Sequence, residues 1–187
     1  MQHFERKRIE EITAVIRKTT KTLTAPFDIE YTITQVGGTI RKIKTNKHPK
    51  SHVKKTGGNE FEIQTNHTLI PQQRYDLATS LGHLFLHKKF AINEETWNNW
   101  EIGSTSETKT MLEMVESEIF ANAFLLPENE FRDVCENNRN AQGYYLTSKI
   151  AEHFNVTTSI ARLRGNYLGL FDYISFTPAN IRNLQPL

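Results

Sequence analysis

The sequence predicts an α+β fold, and three observations carry the prediction. Apolar residues recur at helical spacing near the N-terminus (Ile9, Ile12, Val15, Ile16) and again over long stretches beyond residue 70. Between those blocks, apolar and polar residues alternate in short runs punctuated by Gly37, Gly38, Gly57 and Gly58, the pattern of a small sheet. The 187 residues, 37% hydrophobic and 24% charged, suit one globular domain or a domain with a small appendage, long enough to bury a substantial core.

A first amphipathic helix is expected over residues 4–20, with Pro26 separating it from the next element. Residues 27–34 alternate, Gly37 and Gly38 give a two-residue turn signal, and residues 39–43 continue beyond it, so a β-hairpin is expected there. The stretch 41–55 extends the hairpin into a loop closed by Gly57 and Gly58, and a third strand comes at about 60–65. Pro71 is tolerated at a helix start, and Tyr75, Leu77, Ala78, Leu81, Leu84 and Phe85 line a helix running to about residue 88. Residues 91–108 are polar and aperiodic and read as a loop carrying Trp97 and Trp100. Another helix spans about 110–126 and stops at Pro127; shorter helices are expected at about 128–138 and 146–154. Thr157 is an acceptable N-cap for a last helix reaching residue 168. This reading divides the chain into a main domain, 1–127, and a C-terminal helical subdomain, 128–187, packed on it.

Composition excludes several classes of protein. No apolar run has the ~20 residues that cross a bilayer, and residues 1–8 lack the apolar core of a signal peptide, so no membrane association and a cytoplasmic location are expected. Cys135 is the single cysteine, which leaves no intrachain disulfide and no thiolate zinc cluster; a metal would depend on His, Asp and Glu. The net charge of +2 hides an uneven distribution: Arg41, Lys42, Lys44, Lys47, Lys50, Lys54 and Lys55 fall in one stretch without an acid. That leaves the remainder of the chain at about −5.

The chemistry-bearing segment is the helix around His83. A single-zinc peptidase needs two neutral imidazoles four residues apart on one helix face, a third ligand from elsewhere and an open position for water. A glutamate beside the first imidazole takes the proton of that water. His83 and His87 have the spacing. The segment of Arg74, Ala78, Leu81, Gly82, His83, Leu86 and His87 strongly resembles the ImmA/IrrE family of gluzincin-type metallopeptidases, whose pattern is Arg-Phe-x-x-Ala-His-Glu-Leu-Gly-His-x-x-Leu-His. Thr79 and Ser80 stand where that family has its first zinc histidine and its general base. Phe61 to Asn66 resembles the family's preceding strand. The run from Glu116 through Phe120, Ala121, Leu125 and Leu126 to Pro127 is similar to its second active-site helix. Residues 150–170 resemble its C-terminal helical piece, so the likeness covers about 60–170.

The resemblance implies zincin-like paired helices, with His83 and Glu116 at ligand positions, Thr79 at the lost ligand and Ser80 at the lost base. A shifted set of His83, His87 and Glu116 is an alternative, but it puts Leu84 where the base belongs; Glu113 or Glu118 would then have to serve. The expectation is a pseudoenzyme without a cofactor, zinc being the metal the retained residues could take. The family acts on helix-turn-helix repressors in phages, mobile elements and stress responses, so the resemblance implies a regulator that binds a protein partner such as a repressor. An active zinc endopeptidase with an altered ligand set is the first alternative. A DNA-binding module is the second.

Residues 149–164 have the rhythm of a helix-turn-helix, with Thr157, Thr158, Ser159, Arg162 and Arg164 as phosphate-contact candidates. The same residues equally suit a packed helical pair, and nucleic acid is not the expected partner. The basic stretch reads as a solvated loop, with phosphate or acidic-protein contact as alternatives. Trp97 and Trp100 read either as binding anchors or a flap over the cleft, or as core insertions. Oligomeric state is not readable.

Overall fold

Fourteen residues from Arg6 to Thr19 form helix α1, burying Ile9, Thr13 and Arg17 and leaving Val15 on the outer face. The computed structural model describes residues 4–43, 52–65, 70–105 and 110–171. Within them the fold is α+β, as the sequence predicts, with a mixed three-stranded sheet among predominantly helical elements.

The expected hairpin is not formed. Residues Ile29–Gln35 are helix α2, because Asp28 caps it by accepting from the amides of Glu30 (2.9 Å) and Tyr31 (3.1 Å). Ile29, Thr32 and Ile33 then share one buried face while Tyr31 turns outward. The alternation at 27, 29, 31 and 33 coexists with this helical set, and burial selects the helix. Gly37 and Gly38 join α2 to strand β1 (Gly38–Lys42) rather than turning a hairpin. Gly37 has φ +87°, and a Cβ on Gly38 would lie 2.5 Å from the Phe61 ring and 2.7 Å from Ile33.

The sheet keeps three strands but exchanges one member for another. Strand β2 (His52–Lys55) comes from the basic stretch, and β3 (Phe61–Thr65) lies between its neighbours in the order β1-β3-β2. β1 runs parallel to β3 with Gly38 opposite Phe61; β2 runs antiparallel with Val53 opposite Ile63. Only part of the basic stretch is therefore a solvated loop candidate, and Lys44, Lys47 and Lys50 lie outside the described residues. Lys55 is buried: its ammonium donates to the carbonyls of Trp97 and Trp100, both at 2.7 Å.

Helix α3 (Ile70–Gly82) continues through a π-turn over His83–His87, closed by the Lys88 amide donating back five residues to the His83 carbonyl (3.0 Å). The region expected as a loop contains a short helix, α4 (Glu94–Asn98), capped by Asn93 accepting from the Thr96 amide at 2.8 Å. Helix α5 (Met111–Leu125) opens with a capping box in which Thr110 and Glu113 each accept the other's backbone amide. Then come α6 (Glu128–Asn137), α7 (Thr147–Phe154) and α8 (Thr158–Tyr167).

One continuous apolar cluster runs from Ile9 through Phe61, Leu81, Phe120 and Phe124 into Phe131, Phe154 and Phe171, so the C-terminal helices share a core with the rest. Cys135 belongs to that core, and burial pushes its thiol up to about 12, so almost no thiolate exists at neutral pH. Native protein should therefore be inert to a thiol-reactive disulfide dye at about pH 8 and release one equivalent per chain on unfolding. Rapid native labelling would contradict the packing.

Candidate functional site

The two helices that carry the candidate residues touch where a side chain is missing. A Cβ on Gly82 would come within 2.9 Å of the Ser117 Cα and 3.0 Å of its carbonyl oxygen, so glycine lets α3 and α5 approach along their backbones. One residue later the π-turn begins, and it brings His83, His87 and Glu116 into one hydrogen-bonded row. His87 Nδ1 lies 3.0 Å from His83 Nδ1, and His87 Nε2 lies 3.0 Å from Glu116 Oε2. The Glu116 and His87 side chains are 3% and 10% exposed.

Proton positions are set by the donor inventory. A carboxylate only accepts, so His87 Nε2–H donates to Glu116. Burial, the largest influence on His87, lowers its pKa, outweighing its hydrogen bond to Glu116 and the nearby carboxylates of Glu113 and Glu116. The neutral ring then has its lone pair on Nδ1, and His83 Nδ1–H donates to it. The second oxygen of Glu116 accepts the backbone amide of Phe4 at 2.7 Å. Beside it, the Lys89 ammonium stands 3.8 Å from the Phe4 ring centroid, its pKa lowered by burial against a smaller opposing effect of Glu116.

This donor set does not fit zinc. Bound zinc needs its ligand atoms to converge on one point at roughly 2.0–2.2 Å, whereas His87 directs one ring nitrogen to His83 and the opposite one to Glu116. Its imidazole stands between the other two groups. Among the described residues no set of three or more His, Cys, Asp or Glu side chains is placed to hold a metal ion. The Thr79 hydroxyl donates back to the Tyr75 carbonyl (2.9 Å), and Ser80 is 1% exposed. Glu113 spends an oxygen on the capping box. Glu118 acts electrostatically on the partly buried Tyr75 hydroxyl, whose pKa is raised first by burial and then by that carboxylate.

Lowered protonation of His87 has a consequence for stability. The unfolded ring titrates near 6.5, while the folded ring stays neutral to lower pH, so unfolding takes up a proton between those values. The contribution is complete above about 6.5 and is lost as pH falls through the folded value. Urea midpoints at about pH 5 and about pH 7.5 should differ more for the wild type than for His87→Gln. An equal difference in the two proteins would remove His87 as the source.

The other candidate residues lie elsewhere. Trp97 is 2% exposed. It packs edge-on to Phe90 (4.7 Å), and its indole N–H donates to the Gly58 carbonyl, so it is a core side chain rather than a surface anchor. Trp100 is half-buried beside it at 5.4 Å, with the Lys88 ammonium 4.8 Å from its ring. In the α7–α8 pair, Asn155 adopts the left-handed conformation at the turn and Thr157 caps α8. Arg162, Thr158 and Ser159 are on the outer side there, all three exposed. Arg164, read from sequence as a phosphate contact, is instead 1% exposed and grips Glu10 with both terminal nitrogens. Its Nε donates to the Leu126 carbonyl at 2.8 Å. Sequence reasoning missed Phe4 and Lys89. A backbone amide has no residue-type signature, and the Phe4–Glu116 contact spans 112 positions.

Comparison with known proteins agrees with this arrangement of elements. A family model described as the IrrE N-terminal-like domain, of a peptidase family, matches residues 35–166. Among solved structures the chain is similar to a Mycobacterium tuberculosis transcriptional regulator, with a TM-score of 0.53 and 16% identity over 82% of this chain and 45% of that one. The chain thus spans less than half of that regulator, and the likeness is one of fold. No curated protein matches the sequence.

Proposed function

The chain belongs to the IrrE N-terminal-like domain family, and from that premise we propose that it is a metallopeptidase-like regulator without hydrolytic activity, acting by binding a protein partner of the helix-turn-helix repressor type. The observation that carries the reading is the position of His87, whose imidazole bridges His83 and Glu116 where a metal would have to contact both. The two sequence departures support it independently. Thr79 offers a neutral hydroxyl in place of an imidazole, and Ser80 offers one in place of a carboxylate, which at neutral pH does not accept the proton of an attacking water. A family scaffold retained without its proton acceptor leaves recognition as the role the fold can serve. No helix among the described residues is long and apolar enough to cross a membrane.

The deciding experiment is metal analysis of purified protein alongside incubation with a purified helix-turn-helix repressor. The expected result is saturable binding of the repressor with neither cleavage nor stoichiometric zinc. Stoichiometric zinc together with cleavage that disappears in Glu116→Ala would establish the altered-ligand enzyme instead. Salt-dependent binding to duplex DNA without repressor binding would favour a nucleic-acid module built on Arg162 and its neighbours.

A further inference from the structure

The hydrogen-bonded row of His83, His87 and Glu116 is closed at one end by the chain's own N-terminal segment. The Phe4 amide, preceding α1, has no role in starting the helix, since Glu5 is the N-cap and its carbonyl accepts from Arg8 and Ile9. It is delivered instead to Glu116 Oε1 at 2.7 Å. The Phe4 ring has the Lys89 ammonium 3.8 Å from its centroid. It also forms part of the wall of a neighbouring cavity of about 630 Å³, together with Ile12, Ile16, Phe85, Phe90 and Ile92. Just inside α1, Arg6 donates to the Tyr167 carbonyl (3.2 Å) and lies over the Tyr167 ring (4.7 Å), so the helix is anchored from its first residue.

We propose that Phe4 forms a displaceable strap that fills the Glu116 subsite as a peptide ligand would, and that an extended peptide bearing an aromatic or apolar side chain takes its place. The inference goes beyond the repressor-type partner and does not depend on the partner being a repressor. Three features define the ligand. Glu116 Oε1 is an acceptor in a buried setting and needs a donor, which the amide of an extended chain supplies. Lys89 offers a cation to an aromatic ring. The largely apolar cavity that Phe4 helps to line offers room for the side chain. The strap is the piece that gives way, because Phe4 precedes α1 and lies outside any helix or strand, only partly buried at the edge of the core, whereas α3 and α5 are helices that bury their side chains inside it.

Two substitutions separate the parts. Phe4→Pro removes the donor, since proline has no N–H; Phe4→Ala keeps the donor and removes the ring. The probe is a synthetic peptide copying residues 1–6, tracked through the backbone amide resonances of His87, Lys89 and Glu116. Those resonances should shift in Phe4→Pro at peptide concentrations roughly tenfold below any that affect the wild type. Equal responses in wild type and Phe4→Pro would overturn the proposal. In case Phe4→Pro misfolds, amide exchange of the wild type gives a second reading. The Phe4 amide should exchange about tenfold or more slowly than an unstructured amide, as expected of a donor to a carboxylate. Exchange at the unstructured rate would equally overturn the strap.

Discussion

Arg164→Ala should unfold at a urea concentration lower than wild type by more than about 1 M, reflecting a loss of about 3 kcal/mol. The guanidinium is 1% exposed and makes two parallel bonds to Glu10 of α1 and a third to the carbonyl of Leu126 at the end of α5. Removing it leaves a partly buried carboxylate and a buried carbonyl without their donor, which costs more than the intact network contributes relative to an apolar replacement. Arg164→Lys should recover only part of the loss, because an ammonium cannot reproduce the fork. A midpoint unchanged in Arg164→Ala would mean that α1, α5 and α8 are not joined through this side chain.

Gly82→Ala tests the helix contact that builds the candidate site, and the sign of the effect is the test. In an ordinary helix interior this change stabilises by roughly 0.5–1 kcal/mol, since alanine loses less conformational entropy on folding. Here the added methyl meets the Ser117 backbone at 2.9 and 3.0 Å and the Phe120 Cβ at 3.1 Å, none of which is the end of a flexible side chain. The expected result is a loss of about 1–3 kcal/mol, as for overpacked cores. Repelling α5 from the π-turn should also disturb the 3.0 Å contact between His87 and Glu116, visible as altered side-chain resonances of His87. A variant as stable as the wild type would show that the helices can separate at no cost, and that the row of His83, His87 and Glu116 does not depend on their spacing.

The helices whose ends carry local chemistry are legible in the sequence. Thr110 with Glu113 marks the start of α5 and Pro127 its end, while Thr157 marks the start of α8; these signals act within a few residues and need no tertiary partner. Residues 27–34 mislead because their apolar positions satisfy two periods at once, and the choice falls to the cap at Asp28 and to the burial of Ile33 beside Gly38 and Phe61. β2 escapes a reading by pattern because Val53 is its one apolar side chain. Its strand conformation is imposed by pairing with β3.

By itself the sequence determined the α+β class, the family to which the chain belongs, and that position 79 carries no imidazole and position 80 no carboxylate. Residue identity decides these, since which functional group a position carries does not depend on its surroundings. Tertiary structure alone decided how the retained groups are used. A close helix contact at Gly82 and the π-turn after it direct the two nitrogens of His87 to different partners, and a backbone amide 112 positions away in the sequence meets Glu116. Ring orientation, burial and long-range main-chain contacts are properties of the packed molecule, and no spacing rule encodes them.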